Sequence, residues 1–138
     1  MLEFAGRFNR QDLVVKEFKY WVVILRENVT TLGSCIFILK SGKPFFKDLT
    51  GEEMAELSDV HNWFESKTKE LYGAEKWNYC AMMMKDEFVH YHAIPRYSKT
   101  VSSYGREWID SDWPKGTKLG KLEVDSEVLI EIIEDLKK

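Results

Sequence analysis

The tetrapeptide Thr50-Gly51-Glu52-Glu53 does most to limit what this chain can become. It is a capping box: the threonine hydroxyl accepts from a free backbone N–H at a helix start, while the glutamate three residues on reaches back to the cap. Met54, Leu57, Val60, His61, Phe64 and Leu71 then follow helical spacing, and Gly73 supplies a C-terminal stop. The spacing predicts a helix over 51–72. On either side the sequence loses that period. Residues 12–27 are rich in β-branched and aromatic types and predict one or two strands, the second beginning near Tyr20. Thr30 to Gly33 reads as a turn. Ser34 to Lys40 is an apolar run too short for a helix, broken by Ser41-Gly42-Lys43-Pro44. Past the helix, Trp77–Met84 and Val89–Ile94 are expected as paired strands joined by Lys85-Asp86-Glu87. Residues 98–122 are polar and glycine-rich, and are expected as a loop or peripheral extension. Asp125 is expected to cap a C-terminal helix carrying Val128, Leu129, Ile132 and Leu136, with Lys137 and Lys138 favourable to its dipole. The order β-β-β-α-β-β-α predicts an α+β fold on an antiparallel sheet of about five strands, with a long helix and a C-terminal helix.

A chain of 138 residues is expected to form one domain over 1–138, burying roughly 68% of its unfolded surface. The formal net charge of -3 argues against a nucleic-acid partner, which calls for a clustered basic excess. It leaves room for one small anion. No apolar stretch approaches the roughly 18 residues of a membrane span, and the N-terminus lacks a basic-then-apolar leader pattern. A cytoplasmic protein without a membrane partner is the expectation. Cys35 and Cys80 lie in apolar runs and match neither a zinc pattern nor a disulfide scaffold, so both are expected as buried free thiols.

Residues 87–97, Glu87-Phe88-Val89-His90-Tyr91-His92-Ala93-Ile94-Pro95-Arg96-Tyr97, hold two of the three histidines. On a strand, side chains alternate between faces. Phe88, His90 and His92 then share one face, and Val89, Tyr91 and Ala93 the other. Two strand rises separate the imidazoles by about 6.6 Å. A neutral imidazole can attack phosphorus, carry a proton to a leaving oxygen or hydrogen-bond a phosphate. The spacing alone equally fits an incidental or structural pair, or two metal ligands.

The flanking residues narrow the choice. Phe88 to Arg96 resembles the signature of the histidine triad family of nucleotide hydrolases and transferases, in which histidine alternates with apolar residues and Pro-Arg often follows. The resemblance takes in Trp77-Asn78-Tyr79 upstream, the helix opened by Leu49 to Glu53, the strand Cys35 to Lys40, and Asp112-Trp113-Pro114 downstream, or about residues 20–115. It implies a half-barrel-like antiparallel sheet with a long helix, paired into a homodimer with a continuous sheet. It also implies a purine nucleotide substrate attacked at the α-phosphate, with no cofactor and no metal. By position, His90 is the nucleophile that forms a covalent nucleotidyl intermediate. His92 is the residue that donates to the phosphate and steadies the leaving group. Asn78 matches an asparagine that contacts the phosphate or ribose region.

The chain departs from that pattern in three places. Phe88 replaces the first histidine, whose backbone carbonyl holds the nucleophile's Nδ1–H in the family. A carbonyl survives the exchange, and the ring becomes apolar bulk at the nucleotide site. Met82 to Glu87 replaces a glycine-rich phosphate loop, leaving Lys85 as its one cation. The acidic residue that holds the ribose hydroxyls has no match. Its position falls around Arg26 to Asn28, which brings Arg26 into the candidate nucleotide site. Among the remaining residues, His61 is read as structural, and Met82-Met83-Met84 as core packing with one pocket-lining member. Trp21 and Phe37 are read as core before base-stacking wall, and Arg96 as the holder of a nearby carboxylate.

Overall fold

A computed structural model describes residues 2–138. Met1, counted in the expected 1–138 unit, lies outside the described residues. The chain begins with two short 3₁₀ turns, Glu3–Phe8 and Gln11–Leu13, and then runs β1 (Val14–Glu17), β2 (Trp21–Leu25), β3 (Cys35–Leu39), α1 (Gly51–Tyr72), β4 (Lys76–Cys80), β5 (His90–Arg96), β6 (Val101–Ser103), β7 (Arg106–Trp108) and α2 (Ser126–Lys137). Five strands form one antiparallel sheet in the order β1-β2-β3-β5-β4, and β6 and β7 pair separately. The α+β expectation holds.

Apolar runs decide which strands are central. Trp-Val-Val-Ile-Leu in β2 and Cys-Ile-Phe-Ile-Leu in β3 are buried at every position, as strands covered on both faces must be. The register Ile24–Ile36–His92 and Val23–Phe37–Tyr91 fixes the two faces. Helix α1 covers the second: Phe37 meets Phe64 edge-on at 5.3 Å and His61 at 5.5 Å, and the Trp21 indole N–H donates to the Glu53 carbonyl at 2.8 Å. Trp21 and Phe37 are fully buried core residues on that side.

Helix α1 has the predicted bounds. Thr50 Oγ1 accepts from the Glu53 N–H at 3.0 Å, and the Glu53 carboxylate accepts from the Thr50 N–H at 2.8 Å. Gly73, at φ 77°, closes the other end in the left-handed conformation that glycine adopts freely. The buried stripe is rotated slightly from the predicted one. Met54 is exposed and Glu53 buried, because Glu53 is held by the cap and by the Lys43 ammonium at 2.7 Å.

Five other expectations are corrected. The strand expected over Trp77–Met84 stops at Cys80, where its register partner on β5 is His92. Beyond that point Met82 and Met84 are exposed rather than core. Cys80 is half-buried rather than buried, whereas Cys35 is fully buried, and burial pushes its thiol pKa up. Asp125 precedes α2 but makes no side-chain capping bond. The region 98–122, expected as a loop or peripheral extension, contains regular structure in the separate β6–β7 hairpin. Its turn residues Tyr104 and Gly105 both have positive φ, 57° and 72°, as a tight primed turn requires. Tyrosine is a poor choice there on sequence grounds. A tertiary anchor compensates: the Tyr104 hydroxyl lies 2.7 Å from that of Tyr72 and donates to Asp135 at 2.7 Å.

Candidate functional site

The face of the sheet opposite α1 carries the histidines. Phe88, His90 and His92 stand in a row, with ring centroids 5.0 Å apart for the first pair and 5.4 Å for the second. Tyr91 points the other way, toward Trp21 at 5.9 Å and His61 at 6.4 Å. Strand β5 begins at His90 rather than Val89, yet Phe88 and Val89 are fixed just as firmly. The Val89 N–H donates to the Lys43 carbonyl at 2.8 Å, and the Leu39 N–H donates to the Val89 carbonyl at 3.2 Å.

His90 is 1% exposed. Its Nδ1 lies 2.8 Å from the Phe88 carbonyl oxygen, and since a carbonyl only accepts, Nδ1 carries the proton. Nε2 is then the nitrogen with the free lone pair. The Phe88 side chain plays no part in this. His92 differs: its Nδ1 is buried without a hydrogen-bond partner among the described residues. Burial, followed by the charges of Arg26, His90 and Arg7, pushes its pKa down to about 4, with Asp86 opposing weakly. His92 is neutral at physiological pH.

A cavity of about 340 Å³ opens beside His92. Leu13, Ile24, Leu25, Ile36 and Leu119 give it apolar walls, Phe8 closes one side, and Arg7, Arg26, Glu27, Asn28 and Lys121 supply polar groups. Such a volume lies within the range of small-ligand pockets. Arg26 is 8% exposed and donates from Nη1 to the Thr30 hydroxyl at 2.5 Å. Burial, and then the Arg7 charge, shift its pKa downward. The loop after β7 completes the wall: Thr30 Oγ1 donates to the Gly120 carbonyl at 2.6 Å, and Leu122 forms a β-bridge with Val29.

The structure brings His92 and Arg26 together on this cavity, with His90 and Phe88 in the adjoining aromatic row. It does not bring the other two candidates there. Lys85 lines a separate shallow hollow with Phe4, Gly42 and Phe88. Asn78 accepts through Oδ1 from Arg96 Nη1 at 2.6 Å and from the Thr117 N–H at 3.0 Å, so its carbonyl is committed to the scaffold. Arg96 in turn meets Asp110, both nearly sealed from solvent, at 2.6 Å, which is the carboxylate-holding role read from the sequence. His61 stacks on Tyr79 at 4.1 Å on the helix side, away from the cavity. Among the described residues no group of His, Cys, Asp and Glu is arranged to hold a metal ion, and no helix is long and apolar enough to cross a membrane.

Sequence reasoning missed Arg7, Phe8 and Lys121. Phe8 lies against the histidine row, its ring centroid 5.8 Å from His90, 6.5 Å from His92 and 6.3 Å from Phe88. Arg7 stacks on Phe8 at 4.7 Å and pairs with Asp86 at 2.7 Å. That ion pair joins residues 79 positions apart, a separation for which no local pattern gives a signal.

No protein-family model and no curated protein matches the sequence. Solved structures do match. A histidine triad protein of Sinorhizobium meliloti superposes with a TM-score of 0.74 at 20% identity, covering 95% of this chain and 91% of that one. The Plasmodium falciparum diadenosine triphosphate hydrolase, solved with cyclomarin A, gives 0.67 at 16% identity over 93% and 76%. The C. elegans NitFhit protein gives 0.66 at 18% identity over 91% of this chain, which spans only 27% of that longer one. The chain has the histidine triad fold.

Proposed function

We propose that this chain, as a single domain, is a histidine triad protein that binds a purine nucleotide. It hydrolyses a phosphoanhydride or phosphoramidate at the α-phosphate, with a dinucleoside polyphosphate or a nucleoside phosphoramidate as substrate and His90 as nucleophile. The observation that carries the reading is the 2.8 Å contact from His90 Nδ1 to the Phe88 carbonyl. It leaves the Nε2 lone pair free for attack despite the lost first histidine. Nε2 attacks the α-phosphorus, an N–P bond forms, and the P–O or P–N bond to the leaving group breaks as that group takes a proton. Water then displaces the histidine and releases the nucleoside monophosphate. His92, neutral and beside the cavity, is placed to hydrogen-bond the phosphate. The position of β4 at the edge of the sheet supports a homodimer built on a continuous sheet, and a cytoplasmic setting goes with this reading.

One observation favours a second reading, in which the fold serves as a nucleotide-binding or protein-interaction module with little or no turnover. Phe8 packs against both imidazoles, and His90 is almost wholly enclosed. A single experiment separates the two. The protein is mixed with adenosine and guanosine 5′-phosphoramidates and with diadenosine polyphosphates, quenched at alkaline pH, and analysed by intact mass. A nucleotidyl adduct that maps to His90 and disappears with His90→Ala is expected. Turnover undiminished in His90→Ala would refute the nucleophile assignment, and nucleotide binding without turnover would favour the binder.

A further inference from the structure

A guanidinium buried without a counter-charge is costly, because the effective penalty of removing an ion from water is several kcal/mol. Arg26 is in that position. More than nine-tenths of the residue is hidden, its one side-chain hydrogen bond goes to the Thr30 hydroxyl, and no carboxylate of the described residues forms an ion pair with it. Arginine has five N–H donors in a fork, so most remain available toward the cavity. A second guanidinium, Arg7, lines the same cavity, and Lys121 adds a third cation. The one lining carboxylate, Glu27, is engaged outward with Arg10 at 2.8 Å. The cavity is therefore cationic in a chain of net charge -3. The buried, unpartnered Nδ1 of His92 adds a hydrogen-bonding site at its wall.

We propose that Arg26, with Arg7 brought in by the N-terminal segment, is the phosphate-recognising element of this cavity, selecting ligands by the number of their phosphate charges. The pair takes over a task that the short Met82–Glu87 connection, with Lys85 in a different hollow, is not placed to perform. Arg26 supplies the buried, directional contact, in the forked geometry that suits phosphate oxygens. Arg7 is half-exposed and tethered to Asp86, so it contributes charge from the rim. A phosphate group between them also relieves the repulsion that each guanidinium exerts on the other. The identity of the rest of the ligand rests on the nucleotide reading above, whereas the anion site itself does not.

The test is titration calorimetry on the full chain with adenosine, AMP and ADP, with guanosine, GMP and GDP, and with inorganic pyrophosphate. Affinity is expected to rise with phosphate count by about tenfold or more from nucleoside to diphosphate, the scale of a charge-assisted hydrogen bond. Arg26→Gln is expected to abolish that rise, and Arg7→Gln to reduce it several-fold. Pyrophosphate binding that is lost in Arg26→Gln, in the absence of any nucleotide binding, would uphold the anion site and remove the nucleotide reading. An unchanged phosphate dependence in folded Arg26→Gln overturns the inference and leaves the nucleotide reading standing. Should Arg26→Gln fail to fold, Arg7→Gln, at a half-exposed position, decides: full retention of the phosphate dependence overturns the proposed pair. Binding of neither pyrophosphate nor any nucleotide overturns both.

Discussion

Phe8→Ala should unseal His90, and the structure gives the size of the effect. Complete truncation of a fully buried phenylalanine costs about 3–5 kcal/mol. Phe8 is half-buried, so about 2 kcal/mol is appropriate, including edge-on and tilted contacts to Phe88, His90 and His92. The Arg7–Asp86 pair adds less than about 1 kcal/mol, since an exposed ion pair is weak, and Arg7 is half-exposed. Phe8 therefore dominates the closure. At about 1.4 kcal/mol per factor of ten, local opening of the N-terminal segment should become roughly thirtyfold more frequent. Diethylpyrocarbonate modification of His90, read by peptide mass spectrometry, reports that opening. His61, on the opposite face against Phe37 and Tyr79, serves as the reference. The expected result is an acceleration at His90 of about tenfold or more with His61 unchanged. If both histidines accelerate together, opening is global and the segment does not gate the site; if neither does, Phe8 does not seal it.

Two further outcomes follow from the buried charges and the neutral imidazole. Asp110→Ala leaves Arg96, 3% exposed, with Asn78 as its remaining side-chain partner. Urea denaturation should show a loss of about 3–5 kcal/mol, most of it restored in the Arg96→Met, Asp110→Ala double variant; a loss under about 1 kcal/mol in the single variant contradicts this. His92 is held neutral by burial and by Arg26, His90 and Arg7, with a pKa near 4 against an ordinary 6.5. Between these values the unfolded chain binds more protons than the folded one. The stability contributed by keeping His92 neutral is therefore complete above pH 6.5 and is lost as pH falls toward about 4. NMR titration of the His92 ring should show no midpoint near 6.5, and a normal midpoint would refute the assignment.

What could be read from the residues divides cleanly by range. Helix α1 and its capping box depend on neighbours within a few positions, and both ends match the prediction. The shared face of Phe88, His90 and His92 follows from strand alternation, and the structure has it. The β6–β7 hairpin was not legible, because Tyr104 in a positive-φ position is a weak local choice, stabilised by Tyr72 and Asp135 from far along the chain. The metionine run failed as core for a similar reason: its apolar character gives no hint that β4 ends at Cys80 and leaves Met82 and Met84 in solvent.

The sequence by itself determined the α+β order, the long helix and the imidazole row, because each is set by periodicity or by a cap a few residues wide. Only the tertiary structure decided how that row is surrounded. Which cations face His92, which carbonyl Asn78 surrenders to Arg96, and that Phe8 lies over His90 are results of chain closure. They depend on contacts between residues tens of positions apart, such as Arg7 with Asp86 and Asn78 with Thr117. Those pairings arise when the N-terminal segment and the loop after β7 pack against the sheet, and no local pattern encodes them.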